Sequence, residues 1–164
     1  TSPISRSAIA VGKMSAISLI AALQASLIIG IALAIGVTFP NPLMIIPIMG
    51  IVILFSLGFS GISVTLAATA KSQETFWGMI NLLGMPLFML SPALFPLELL
   101  PSWLAVIAKL NPVTYTILLV RELMTGVSEG GVPILLSIGV ILAFVIAMVA
   151  IASYVFTREV NKPF

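Results

Sequence analysis

The stretch NLLGMPLFMLSPALFPLELLPSWLAVIAKLNPVTYTILLVRELMTG, residues 81–126, decides how this chain is read. It opens as membrane-grade apolar sequence, is interrupted by Pro86 and Pro92, and continues as two short apolar segments joined at Asn111-Pro112. Pro96 and Pro101 bracket Leu97-Glu98-Leu99-Leu100, and Pro101 is suited to open a helix because its missing N–H costs nothing in a first turn. The helix that follows carries an apolar face of Trp103, Leu104, Ile107 and Leu110. Asn111-Pro112 ends it, since the residue before a proline is pushed out of helical geometry and Pro112 starts the next helix. That second helix runs from about Val113 to Met124, with Gly126 as its stop. Both helices are too short to cross a bilayer and too apolar for water. A helical hairpin over about 97–126, either dipping into the outer leaflet or lying in the interface, satisfies both facts. Trp103 and Tyr115 suit the interface. Arg121 and Glu122 should face the interface, protein or water, because Arg at a helix centre in lipid costs about 2.5–3.5 kcal/mol.

Composition fixes the solvent. Hydrophobic residues make up 60% of the chain and charged residues 7%, and the mean hydropathy is +1.27, so a water-soluble fold would lack the polar surface to cover its core. The fold class expected is an all-α integral membrane protein. A net charge of +2 spread over twelve charged residues is too sparse for phosphate-backbone recognition, which argues against a nucleic-acid partner. With neither Cys nor His, the chain has no thiolate or imidazole ligands, so no metal site and no bound cofactor are expected.

Four transmembrane spans are predicted, at about 17–39, 43–70, 76–95 and 133–156, taking roughly 20 apolar residues per crossing. Pro40-Asn41-Pro42 turns the chain between the first two, Lys71-Ser72-Gln73-Glu74 separates the second from the third, and the hairpin lies between the third and fourth. With the N-terminus inside, cytoplasmic segments hold Arg6, Lys13, Lys71, Arg158 and Lys162, against Lys109 and Arg121 outside. This asymmetry predicts that both termini are cytoplasmic. The first apolar run is longer than the 7–15 residues of a signal peptide, and the chain opens with Thr1, so a truncated or internal piece of a longer protein is expected.

Small residues recur at helical spacing. Ala22, Ser26, Gly30 and Ala34 line the first span, and Gly139, Ala143 and Ala147 the fourth, which predicts close helix contacts on these faces. The second span has two such stripes, one through Ser56, Ser60, Ser63 and Ala67 and one through Gly58, Gly61, Thr65 and Ala68. Ser56 and Ser60, with Gln24 and Asn81, are the candidate residues of a polar path; helix packing and interhelical hydrogen bonds worth about 1 kcal/mol are the simpler account of them. Met79, Met85 and Met89 read as adaptable packing.

The run LFPLELLPSWLAVIAKLNPVTYTILLVRELMTG resembles the C-terminal half of ABC-2 type transporter permeases, in particular bacterial drug-exporter permeases of the daunorubicin-resistance type. The matching positions are Phe95, Pro96, Leu100, Pro101, Trp103, Leu110, Asn111, Pro112, Thr114, Tyr115 and Arg121. The opening TSPISRSAIAVGKM is similar to the cytoplasmic stretch ahead of that family's third membrane helix, at Pro3, Ile4, Ser5, Arg6, Gly12 and Lys13.

The resemblance implies that residues 1–164 form one transmembrane domain corresponding to the last four of six helices. Residues 1–14 would then be the end of a cytoplasmic segment contacting an ABC ATPase, with Pro3, Arg6 and Lys13 as its candidates. It also implies a dimer with a second permease copy or a paralogue, and export by alternating access. The site candidates in the hairpin are Pro96, Pro101, Trp103, Asn111, Pro112, Tyr115 and Arg121. The chain has no G-x-x-x-x-G-K-[ST] sequence, so it is not expected to be an enzyme, and ATP and Mg would act through the partner ATPase. The expected substrate is amphipathic, a drug, lipid or lipid-linked glycan, and the expected location is the cell inner or plasma membrane, in contact with its lipids. A membrane anchoring or assembly subunit without a translocation path is the alternative.

Overall fold

The computed structural model describes residues 6–128 and 130–160, with six α-helices and no strand among them. They are α1 (Arg6–Ala34), α2 (Ile45–Thr69), α3 (Gln73–Met89), α4 (Ser102–Leu110), α5 (Pro112–Thr125) and α6 (Ile134–Val160). Single 3-10 turns at Pro42–Met44 and Leu97–Leu99 precede α2 and α4.

Three of these helices are long and apolar enough to cross a membrane: Ala8–Ala34, the helix preceded by its 3-10 turn at Pro42–Thr69, and Ile134–Arg158. The second and fourth expected spans agree with the observed helices to within a few residues. The first does not. Residues 6–14 of the expected cytoplasmic segment are helical and continuous with the span, and α1 ends at Ala34 rather than Phe39, where the chain turns through Gly36 at φ +93°. The third expected span is also shorter than read. Its helix has 17 residues, about 26 Å, against a hydrocarbon core of about 30 Å. Pro86 lies inside α3 without ending it, because the helix loses only the bond from residue 86 to Leu82. Pro92 has the stronger effect: it denies Phe88 its usual donor, and the chain leaves the helix at Leu90.

The core is a three-helix bundle centred on α2. At one end, Ala10 and Met14 of α1 meet Val64 of α2 and Ala152 of α6. The start of α1 and the ends of α2 and α6 therefore share one end of the molecule, so α1 runs antiparallel to both others. Nearer the other end, Ile141 and Val145 of α6 pack with Leu119 of α5 and with Ile51, Leu54 and Leu57 of α2.

Gly58 and Gly61 make the α2–α6 approach possible. A Cβ on Gly61 would stand 2.9 Å from the Met148 carbonyl oxygen, and one on Gly58 would stand 2.9 Å from the Phe144 ring. Only one partner in such a contact needs to be small. α6 accordingly presents Phe144, Val145 and Met148 to α2, while Gly139, Ala143 and Ala147 face outward, contrary to the expectation that they mark its packing face. On α1 the inward line is Ala10, Met14, Ser18 and Ala22; of the predicted stripe only Ala22 is buried, and Gly30 faces open space.

Candidate functional site

The break between α4 and α5 bends the chain by 88°. Local sequence explains it. Asn111 sits in extended geometry (φ −86°, ψ 119°), and its side-chain oxygen accepts from the Val113 N–H at 3.0 Å, which caps α5 with Pro112 as first residue. Asn41-Pro42 builds the same cap, with Leu43 N–H on the Asn41 side-chain oxygen at 3.0 Å. At the far end of α5, Gly126 takes the left-handed conformation (φ 73°) and returns its N–H to the Glu122 carbonyl, as the sequence predicted.

A break in an apolar helix leaves backbone carbonyls without their helical donors, and where burial keeps water away the donor has to come from the protein. The Ala108 and Phe88 carbonyls keep tighter-turn backbone donors, the Asn111 N–H at 3.2 Å and the Ser91 N–H at 3.1 Å, and nearby side chains add to or replace such bonds. Pro112 has no N–H for the Ala108 carbonyl, and the buried Thr114 hydroxyl donates there at 2.7 Å. The Lys109 carbonyl accepts from the Tyr115 hydroxyl at 2.7 Å. The same logic holds at the end of α3: Pro92 has no N–H for the Phe88 carbonyl, and the Ser91 hydroxyl donates to it at 2.6 Å. The side-chain amide of Asn111 donates to the Leu87 carbonyl at 2.6 Å, and an Arg121 Nη donates to the Pro92 carbonyl at 3.0 Å. Asn111 and Arg121 thus hold α5 against the frayed end of α3. No buried side-chain nitrogen or oxygen among the described residues is left unpaired.

The elbow lies well inside the bundle. Val113 shares a wholly apolar cleft with Phe55 and Phe59 of α2 and with Gly84, Leu87 and Phe88 of α3. Phe55 is about 15 Å along the α2 axis from Ile45. From there α5 runs back beside Ile141 and Val145 towards the loop that opens α6, where Gly130 approaches Leu97 and Leu118. Leu97, before α4, and the end of α5 therefore both lie at the end of the molecule opposite Lys13. Trp103 is 65% exposed and Leu110 80% exposed, so the apolar face read on α4 points outward and Ala108 packs inward.

The other candidates are scattered. Gln24 on α1 and Asn81 on α3 are both exposed. The Ser56 hydroxyl bonds its own helix at Ile53, while Ser60 is buried between α2 and α1, with its hydroxyl 2.7 Å from the Leu57 carbonyl and 3.4 Å from that of Met14. None of the four lines the clefts at Lys13 or at the elbow. Pro3 lies outside the described residues, Arg6 opens α1, and Lys13 is exposed with its ammonium 5.5 Å above the Phe156 ring. Sequence reading missed Ser91 and gave Thr114 no role; the signal was a proline four residues after an acceptor, with a hydroxyl nearby.

Apolar helices and a proline-broken hairpin with internally satisfied carbonyls define a multi-pass membrane protein. The family model of the ABC-2 type transporter matches residues 1–125, and the chain belongs to that family. Among curated proteins, the chain is similar to "Putative transport permease ycf38" of Cyanophora paradoxa, 33% identical over 107 residues that cover 65% of this chain and 37% of that protein. Namesakes from Porphyra purpurea and Pyropia yezoensis are 36% and 32% identical over 67 and 77 residues, covering 41% and 47% of this chain. The matched stretches span 23% and 26% of those two proteins, so the chain corresponds to a minor part of each relative's length. No solved structure matches.

Proposed function

We propose that this chain is part of the membrane-spanning permease of an ATP-driven exporter, moving an amphipathic molecule out of the cytoplasm by alternating access. The observation that carries the reading is the family match across residues 1–125, which takes in both the basic N-terminal stretch and the Asn111-Pro112 elbow. The distribution of cations supports an orientation with Arg6, Lys13, Lys71 and Arg158 at the cytoplasmic face. A separate ATP-binding-cassette subunit binds ATP and Mg and contacts residues 1–14, with Pro3, Arg6 and Lys13 at the contact. A second permease copy or a paralogue completes the pathway in the cell inner or plasma membrane. Gln24, Ser56, Ser60 and Asn81 remain the proposed path residues, with Gln24 and Asn81 open to such a partner.

The test is co-expression of the full-length permease with its candidate ATPase, purification by a tag on the permease, and comparison of vanadate-sensitive ATP hydrolysis with that of Arg6→Glu. A retained ATPase whose hydrolysis is lost or uncoupled by the charge reversal supports the exporter. A well-folded permease that retains no ATPase in mild detergent contradicts it and favours an anchoring subunit.

A further inference from the structure

At the end of the bundle that carries Lys13, the start of α3 stands away from α1 and leaves a cleft of about 410 Å³ walled by α1, α2, α3 and α6. Its size falls within the range of small-ligand sites, roughly 300–1,000 Å³. Ala16 and Ala67 open it, because neither reaches across the gap, and Phe76 and Phe156 close its sides. Among the described residues, Lys13 and Ser63 are its polar lining residues and no carboxylate lines it. The Lys13 ammonium stands over Phe156, and its three N–H donors have no acceptor among the described residues.

We propose that this cleft binds an anionic phospholipid, one acyl chain lying between Ala16, Ala67 and Phe76 and the phosphate held by Lys13. Charge selects the occupant. A cation at the mouth of an apolar cleft complements a ligand with one anionic end and a hydrocarbon tail, and basic pockets between membrane helices bind such headgroups. Depth agrees with this. Lys13 lies about 8 Å along α1 from Ala8, where the apolar stretch begins, so a snorkelling ammonium sits at headgroup level. Identifying that leaflet as the inner one rests on the orientation proposed above, and a Lys13 that holds the lipid leaves Pro3 and Arg6 for the ATPase contact; the lipid site itself does not need an ATPase.

The chain offers a reporter, because Trp77 stacks edge-on against the cleft residue Phe76 at 5.3 Å and Trp103 is the other of its two tryptophans. With Trp103→Phe, and phenylalanine for every tryptophan outside residues 1–164, as the common background, the protein is placed in nanodiscs of unlabelled phosphatidylcholine. A minor fraction of acyl-brominated phosphatidylglycerol or phosphatidylcholine is then added. The brominated anionic lipid is expected to quench Trp77 with about fivefold preference over the zwitterionic one, the size of one lysine–headgroup interaction. Lys13→Gln is expected to abolish that preference and Ala67→Phe, which fills the cleft, to abolish it as well. Lys71→Gln, at the same end but outside the cleft, is expected to keep it, with helix content by circular dichroism unchanged throughout. Equal quenching by the two lipids overturns the site and leaves the cleft to a protein segment. Equal losses in Lys13→Gln and Lys71→Gln, or no loss in Ala67→Phe, also overturn it, since diffuse surface charge or annular lipid then explains the preference. Failure of this assay leaves ATPase retention by the permease unaffected, so the two readings fail separately.

Discussion

The Asn111 side chain joins two helix ends at once, accepting from the Val113 N–H at 3.0 Å and donating to the Leu87 carbonyl at 2.6 Å across 24 residues of sequence. Asn111→Ala removes both bonds. The lost cap costs about 1 kcal/mol, and the unpaired Leu87 carbonyl about 1–3 kcal/mol more. Asn111→Ser keeps a cap acceptor but does not reach α3. The expected order of thermal stability in detergent is wild type, then Asn111→Ser, then Asn111→Ala.

Two hydroxyls at the same elbow have unequal weight. Thr114 is buried and serves the Ala108 carbonyl, which Pro112 has deprived of its helical donor. That carbonyl keeps the Asn111 N–H at 3.2 Å, so Thr114→Val loses one buried hydrogen bond and is expected to cost about 1.5 kcal/mol. Tyr115 serves a carbonyl at the exposed Lys109, where water can substitute, so Tyr115→Phe is expected to cost about 1 kcal/mol or less. Denaturant titration of each variant in mixed micelles checks the ranking.

Helix contact predicts a contrast among glycines. Gly61→Ala drives a methyl against the Met148 carbonyl, which cannot yield without moving α6, whereas Gly58→Ala meets a Phe144 ring that can turn. Overpacking of about 1–3 kcal/mol is expected at Gly61, and less at Gly58. Gly139 faces open space, so Gly139→Ala is expected to leave the isolated chain within about 0.5 kcal/mol of wild type. Thermal unfolding followed by circular dichroism compares the three.

Much of this was legible in the sequence, for a physical reason. The helix start at Pro112, its Asn111 cap and its Gly126 stop are each set by residues within a few positions, so reading the signature gave the hairpin nearly to the residue. Asn41-Pro42 at the head of α2 was legible in the same way. Facing was not. Hydropathy cannot tell which side of an all-apolar helix meets protein, and Gly139, Ala143 and Ala147 point away because α2 already supplies the small residues. The length of α3 was missed because its apolar sequence runs on past the helix, through a turn held by Asn111 and Arg121 from a distant segment. Those two residues were singled out by resemblance, but their acceptors, Leu87 and Pro92, became visible only in three dimensions. Gln24, Ser56, Ser60 and Asn81, proposed for a polar path, have no such local logic and do not converge among the described residues.

The most direct test of the account is the sidedness of the hairpin. Residues 1–164 hold no cysteine, so each variant carries a single thiol once every cysteine outside them is replaced by serine. Leu99→Cys precedes α4, Val127→Cys follows α5, and both positions are exposed. Ser72→Cys lies between α2 and α3 at the Lys13 end. With a membrane-impermeant maleimide on intact cells, Leu99→Cys and Val127→Cys are expected to label together from outside, and Ser72→Cys only after permeabilisation. Labelling of Leu99→Cys and Val127→Cys from opposite faces would make α4 and α5 one bent crossing and contradict a hairpin that enters and leaves on the same side.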